Sequence, residues 1–266
     1  MTSLTSRDNP KVKRWIRLAG DARYRRSEKR ALIEGPHLLA AALQHGIHPV
    51  AVLVTEEGAA NPEIGRLLLA NAVVLGKGVF RAIVDSDTPQ GLAAEIGLPD
   101  ARKAIGNTIF LEGVQDPGNI GAIMRSAAAF GIRRVVLDRA CADPWSPKVL
   151  RAGMGAHFSL QVHEVPSLEA ELKSYKGRIL CAVASGGTNL AEADLAGPIG
   201  WLFGSEGSGV SAAARKMAAR EVTIPMAPGT ESVNVAAAAA ICFYTAFCCE
   251  SPPWQGGSEL ASGGCR

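Results

Sequence analysis

From Thr108 onward the chain alternates short apolar runs with longer segments of helical periodicity. Thr108–Leu111, Arg134–Leu137, Phe158–Val162, Ile179–Val183, Trp201–Phe203 and Val222–Ile224 are predicted strands. Between them, Gly118–Phe130, Pro147–Met154 and Leu168–Tyr175 are predicted helices, the first closed by Gly131. Strands alternating with helices predict a parallel sheet. The last apolar run, Val235–Cys249, follows Glu231-Ser232-Val233-Asn234 and is predicted as a helix apolar on nearly all faces. The first hundred residues carry shorter signals. Asn9-Pro10 opens a basic helix with apolar contacts at Val12, Trp15, Ile16 and Leu18. Ala31–Ile33 is an apolar run stopped by Glu34-Gly35-Pro36. A helix over His37–His45 ends at Gly46, Val50–Val54 and Ala72–Leu75 are predicted strands, and a helix near Pro62–Leu69 separates them.

Pro99–Gly106 is charged and broken by Pro and Gly, which places a domain boundary there. The expected organisation is a smaller α/β domain over residues 1–98, a parallel-sheet α/β domain over 107–250, and a Pro-, Gly- and Ser-rich tail over 251–266 predicted to be disordered. Two predicted strands end in glycine-rich loops: Trp201–Phe203 runs into Gly204-Ser205-Glu206-Gly207, and Val222–Ile224 into Pro225-Met226. In a parallel sheet such loops form the ligand crevice, so a small polar molecule is expected between them. At Gly204 a Cβ is expected to intrude on that ligand.

Charge changes the picture of the N-terminal segment. Arg7, Lys11, Lys13, Arg14, Arg17, Arg23, Arg25, Arg26, Lys29 and Arg30 face only Asp8, Asp21 and Glu28, so +7 is concentrated there in a chain of net charge +3. Such a patch points to a polyanion such as nucleic acid, or to a solvated helix face. The six cysteines show no CxxC and no zinc spacing, and the chain opens on no secretory signal. A cytoplasmic protein without metal is expected, with Cys141, Cys181 and Cys242 in the core. Val235–Cys249 is too short for a comfortable membrane span. GxGxxG, the P-loop, HExxH and GxSxG are all absent. His157 and His163 flank a predicted strand without a partner at metal spacing and are expected to be structural. Arg125 lies among Ala and Ile within a predicted helix, where it is either a structural ion pair, to Glu112 or Glu206, or a site residue. Ser232 and Asn234 are both candidate N-caps, and one helix needs only one.

NIGAIMRSAAAFG, LFGSEGSGVS and IPMAPGTESVNVAAAAAICFY resemble, in order and spacing, the three motifs of the SpoU (TrmH) branch of the SPOUT RNA methyltransferases. The resemblance runs from about Asn107 to Phe247. SRDNPKVK and LIEGPHLLAAAL are similar to the substrate-binding domain often fused ahead of that catalytic domain, and Val233 stands where many members carry Leu. The resemblance implies S-adenosylmethionine-dependent 2′-O-methylation of a ribose in rRNA or tRNA, a deep trefoil knot at the end of the catalytic domain, and a homodimer. It implies Gly204, Ser205, Gly207, Ile224, Met226 and Val233 at the cofactor, and Asn119, Arg125, Glu206, Ser232 and Asn234 at the reaction. Arg125 is then a base or an electrostatic stabiliser. Arg has a pKa above about 12, which makes stabilisation the physically easier role. Arg7, Lys11, Lys13, Arg23, Arg25, Arg26 and Arg151 are the expected RNA contacts. The rival readings are an inactive nucleic-acid-binding protein, which titration with S-adenosylmethionine distinguishes, and a methyltransferase for a small molecule or protein, against which the basic segment argues.

Overall fold

A computed structural model describes residues 3–68, 72–99 and 106–250. The expected tail over 251–266 and most of the expected linker lie outside the described residues. The chain forms two compact units, one of Met1–Asp100 with Asp143–Ser159, the other of Ala101–Ala142 with Leu160–Arg266.

The first unit begins with α1 (Pro10–Gly20), capped by Asn9, whose side chain accepts from the Lys11 N–H at 2.9 Å. Its spacing puts Val12, Trp15 and Leu18 on one buried face while Lys11 and Lys13 stay in solvent. Each large apolar side chain so buried contributes roughly 1.5–3 kcal/mol. Then follow α2 (Ala22–Glu28), β1 (Arg30–Glu34), α3 (Pro36–Gln44), β2 (Pro49–Val54), α4 (Glu56–Ala60), α5 (Pro62–Gly65), β3 (Val73–Val74), α6 (Lys77–Ile83) and β4 (Leu92–Gly97). The strands form one sheet in the order β1-β4-β2-β3, with β4 antiparallel to both neighbours. The helix expected over Pro62–Leu69 stops at Gly65. β4 and α6 carry no local signal. In β4 the side chain of Glu95 is buried, which breaks any apolar run. Its carboxylate is met by Arg14 Nη2 at 2.6 Å and Trp15 Nε1 at 2.9 Å, both from α1.

The second unit opens with β5 (Thr108–Glu112), α7 (Pro117–Ala129) and β6 (Arg134–Asp138). The chain then makes α8 (Pro147–Gly153) within the segment that packs with the first unit, and returns for β7 (Gln161–Val165), α9 (Glu169–Ser174), β8 (Arg178–Ala182), β9 (Thr188–Asn189), β10 (Ile199–Gly204), α10 (Ala212–Arg215), β11 (Arg220–Thr223) and α11 (Val235–Glu250). Among the described residues its seven strands run in the order β7-β6-β5-β10-β8-β11-β9, and every pairing is parallel, as alternating strands and helices predict. β10 is buried at every position and carries Trp201 and Phe203 against Phe243 of α11. α11 also lies along α7, where Phe130 meets Tyr244 and Phe247. The strand expected at Phe158–Val162 begins three residues later. Met154 and Gly155 take left-handed conformations and Ala156–Ser159 coils into a 3-10 turn, so His163 sits inside the strand rather than beside it. Cys141, Cys181 and Cys242 are buried, as expected.

His157 is fully buried in the first unit. Its Nε2 donates to the Pro144 carbonyl at 2.8 Å, and its Nδ1 has no partner among the described residues. Burial pushes the imidazole down to about 4, and the Pro144 bond offsets this only in part. The folded pKa lies below the unfolded value near 6.5, so the unfolded chain takes up the proton first. Stability from this group is therefore fully present above pH 6.5 and is lost as pH falls toward 4. Urea unfolding is expected to show a loss of about 2 kcal/mol between pH 6.5 and 5 that His157→Phe removes. An equal slope in the variant would locate the proton uptake elsewhere.

Candidate functional site

Three loops converge at the carboxyl edge of the parallel sheet, beyond β8, β10 and β11, around a cavity of about 650 Å³. The turn after β10 closes on itself: the Gly209 N–H donates to the Ser205 carbonyl at 3.0 Å, and the Ser205 and Ser208 hydroxyls lie 2.7 Å apart. Ser211, just past the turn, donates its N–H and Oγ–H to the Glu112 carboxylate at 2.7 and 2.8 Å, which fastens the turn to the end of β5. A Cβ built on Gly204 would lie 2.1–2.2 Å from backbone atoms of Gly209 and Val210. Gly204 is thus required by the chain's own close approach. The obstacle to a Cβ is therefore the backbone of the following turn, and not only the ligand that the sequence leads one to expect there. A Cβ on Gly207 meets nothing within 4 Å.

Each expected cofactor residue, Gly204, Ser205, Gly207, Ile224, Met226 and Val233, lines this cavity, as do Glu206, Ser232 and Asn234. Ala182, Val183 and Ala184 line it too, and sequence reasoning missed them. Their contribution comes from position alone, because β8 lies between β10 and β11. The cavity falls within the roughly 300–1,000 Å³ of small-molecule sites. Its wall combines apolar Ile224, Met226 and Val233 with the polar turn, a lining that suits a ligand with a flat apolar ring and a charged end.

At its rim three side chains form a chain of hydrogen bonds. Asp116 caps α7 by accepting the Asn119 N–H at 2.8 Å, which fixes Asn119 in the first turn. The Asn119 amide donates to Glu206 at 2.8 Å, and its carbonyl oxygen accepts from Asn234 Nδ2 at 2.9 Å. Asn234 is the cap of α11, accepting the N–H of Ala236 at 2.9 Å, and Ser232 is left exposed at the cavity. Burial raises the Glu206 carboxyl, but hydrogen bonds from Asn119 and from the N–H groups of Glu206, Gln115 and Asp116 outweigh it and hold the group below its ordinary range. It is therefore an anion at neutral pH and an acceptor only.

Arg125 stands apart. It is exposed on α7, six residues and about one and two-thirds turns beyond Asn119, and it does not line the cavity. Glu112 and Glu206, the carboxylates expected to pair with it, are engaged by Ser211 and Asn119. No ion pair to Arg125 is found among the described residues.

The basic residues of the first unit divide. Lys11, Lys13 and Arg23 are exposed, and Arg7 is exposed with one bond to the Gly78 carbonyl. Arg26 is half-buried. Arg25, expected among the RNA contacts, is instead internal. It is 4% exposed, its guanidinium lies 2.5 Å from Asp143, and Nη1 donates to the carbonyls of Leu18 and Ala19. A guanidinium so enclosed holds the fold and is not offered to a polyanion. Arg151 is half-exposed and paired with Asp85 at 3.0 Å.

A parallel sheet with such a cavity at a break in strand order is the arrangement of α/β proteins that bind nucleotides and their derivatives. A model of the SpoU rRNA methylase family matches residues 106–244, and one of the MRM3-like substrate binding domain matches residues 9–94. The chain belongs to the SpoU rRNA methylase family. It is 32% identical over 247 residues to the 23S rRNA (guanosine(2553)-2′-O)-methyltransferase RlmP of Bacillus subtilis, covering 92% of this chain and 98% of that one. A solved RNA 2′-O ribose methyltransferase superposes with a TM-score of 0.76 at 31% identity, over 92% of this chain and 98% of that one. The SpoU methyltransferase AviRb of Streptomyces viridochromogenes, solved in complex with AdoMet, superposes with a TM-score of 0.83 at 24% identity, over 91% and 98% of the two chains, and shares the fold.

Proposed function

We infer that this protein is an S-adenosylmethionine-dependent RNA methyltransferase that modifies a ribose 2′-hydroxyl in rRNA or tRNA. The observation that carries the reading is the hydrogen-bonded chain Asn234–Asn119–Glu206 at the mouth of the cavity. It links the three motif-bearing segments within one family-matched domain. S-adenosylmethionine supplies an electrophilic methyl group when bound. Its fit is supported by the cavity's volume and by the lining of Ile224, Met226 and Val233 beside the polar turn. Gly204, Ser205 and Gly207 offer backbone and hydroxyl groups to the ligand. Asn119, Glu206, Ser232 and Asn234 orient the ribose, whose hydroxyl must lose its proton as it attacks. Arg125, a permanent cation, stabilises the oxygen as negative charge develops on it or grips the neighbouring phosphate.

The chain acts as a homodimer through α11, which presents Tyr244 (53% exposed) and Ile241 (39% exposed) to solvent. The segment from β10 to α11 is knotted, a reading supported by the convergence at one cavity of loops that follow strands on either side of β8. No helix among the described residues is long and apolar enough to cross a membrane, and no group of three or more His, Cys, Asp or Glu is placed to hold a metal. The cytoplasm is the proposed site of action.

RNA affinity tests the polyanion reading. Replacing the exposed Lys11, Lys13 and Arg23 by Ala is expected to weaken RNA binding and to flatten log K against log salt by about 2 units, because fewer counterions are released. Calorimetric affinity for S-adenosylmethionine is expected to stay at the parental value. Unchanged RNA affinity at low salt would reduce this surface to a solvated face. Failure of the folded parent to bind S-adenosylmethionine would favour an inactive RNA-binding protein.

A further inference from the structure

A cavity of about 240 Å³ lies within the first unit, among β1, the residues leading into β4, and α8. It is smaller than the roughly 300–1,000 Å³ of drug-sized sites and suits one planar ring system. Leu38, Leu150 and Met154 give it an apolar side, while Glu34, Thr88 and Gln90 give it a polar one. Arg151 also lines it, with its guanidinium held by Asp85 at 3.0 Å.

Two lining residues give the cavity its chemical character. Met154, the residue that caps the C-terminus of α8, lies in the left-handed region at φ 49°, ψ 38°, and is 47% exposed. That conformation ends α8, with the Met154 N–H donating to the Arg151 carbonyl at 3.3 Å, and it leaves the thioether at the cavity with little burial. The Glu34 carboxyl is raised above its ordinary range by burial, against hydrogen bonds from the N–H groups of Asp85 and Ser86 and the charge of Arg151. A carboxylate has about four lone-pair sites, so acceptor capacity remains for incoming donors.

We propose that this cavity binds a single unpaired guanine base, with Glu34 accepting hydrogen bonds from its Watson–Crick edge and Met154 covering its face. An ionised carboxylate only accepts. Guanine is the base whose Watson–Crick edge presents two adjacent N–H donors, so one carboxylate meets both. Unpaired bases are read on that edge while stacked against flat or apolar side chains. Gln90 and Thr88 supply donors for the guanine carbonyl oxygen, and Arg151, fixed by Asp85, is placed for the adjoining phosphate. The guanine is a nucleotide of the RNA substrate, and this part of the inference rests on the function proposed above.

The test uses the full chain with S-adenosylhomocysteine saturating the other cavity. Binding of guanosine, inosine and adenosine 5′-monophosphates is followed by NMR titration, alongside a short single-stranded RNA carrying one guanosine or one inosine. Inosine lacks the second donor. The guanine forms are expected to bind about tenfold more tightly than the others, the worth of one hydrogen bond to a charged group. Glu34→Gln should erase the preference. Met154→Gly should weaken guanine binding severalfold while the melting temperature holds or rises, since glycine relieves the left-handed strain. That variant keeps the test decisive if Glu34→Gln fails to fold. Equal binding of the three nucleotides, or a preference that survives Glu34→Gln, overturns the site. A preference for the free guanine nucleotide without one for the guanosine RNA overturns the assignment to RNA. Methyl transfer to rRNA, measured in parallel, separates the two readings: transfer without guanine preference sinks only this proposal, and guanine preference without transfer sinks the proposed activity.

Discussion

Arg125→Ala is expected to lower the rate of methyl transfer by at least about a hundredfold, a loss of roughly 3 kcal/mol of transition-state stabilisation. S-adenosylmethionine affinity and melting temperature should stay near the parental values. The structure motivates the separation: Arg125 is exposed on α7, lines no wall of the cavity and has no ion-pair partner among the described residues, so its removal takes nothing from the fold. Arg125→Lys keeps a charge but loses the planar fork, and is expected to be nearly as inactive as Ala if the grip is bidentate. Because Arg125 is exposed and does not line the cavity of its own chain, the proposed dimer would present it to the cavity of the partner. Mixing Arg125→Ala subunits with Gly207→Val subunits tests this, since a side chain at Gly207 meets open space within the fold while obstructing the cavity wall. Restored turnover in the mixed dimer means that cation and cofactor come from different chains. Near-parental turnover of Arg125→Ala alone would remove Arg125 from the reaction.

Gly204→Ala is expected to cost more than about 3 kcal/mol of stability, and Gly204→Val more still, with S-adenosylmethionine binding lost as a consequence. The neighbours of the added Cβ are backbone atoms of Gly209 and Val210 at 2.1–2.2 Å, which cannot swing aside as a side chain does. Relief requires opening the turn that Ser205, Ser208 and Gly209 close, at the residue where β10 pairs with Glu112 of β5. Urea unfolding of the two variants measures the loss. A Gly204→Ala protein of parental stability would mean that the turn does not approach β10 so closely.

The second unit was largely legible because its signals are local. Apolar runs with Gly or Pro at their ends marked β5, β6, β8, β10 and β11 within a residue or two, and alternation with helices predicted the parallel sheet. The glycine-rich turn after β10 was legible for the same reason, whereas the sequence left the cap of α11 open between Ser232 and Asn234, and the Ala236 N–H bond decides for Asn234. Features set by distant partners were not. β4 was invisible because Glu95 interrupts it, and its burial makes sense only once Arg14 and Trp15 arrive from α1. Arg25 read as one cation among ten, since only Asp143, far along the chain, makes it internal. The hydrogen bonds that join Asn119 to Glu206 and Asn234 span 87 and 115 residues, so only the motifs' resemblance to a known family brought the three together in advance.

The most direct measurement is methyl transfer itself. The full chain is incubated with methyl-labelled S-adenosylmethionine and rRNA isolated from cells lacking the protein, and the product is hydrolysed in alkali. Alkaline cleavage proceeds through attack of the 2′-oxygen on the neighbouring phosphate, so a methylated 2′-oxygen blocks it. The account predicts label in an alkali-resistant dinucleotide at one position, and none with Arg125→Ala. Label released in a mononucleotide would place the methyl group on a base. The absence of label from folded protein that binds S-adenosylmethionine would contradict ribose methylation of that RNA.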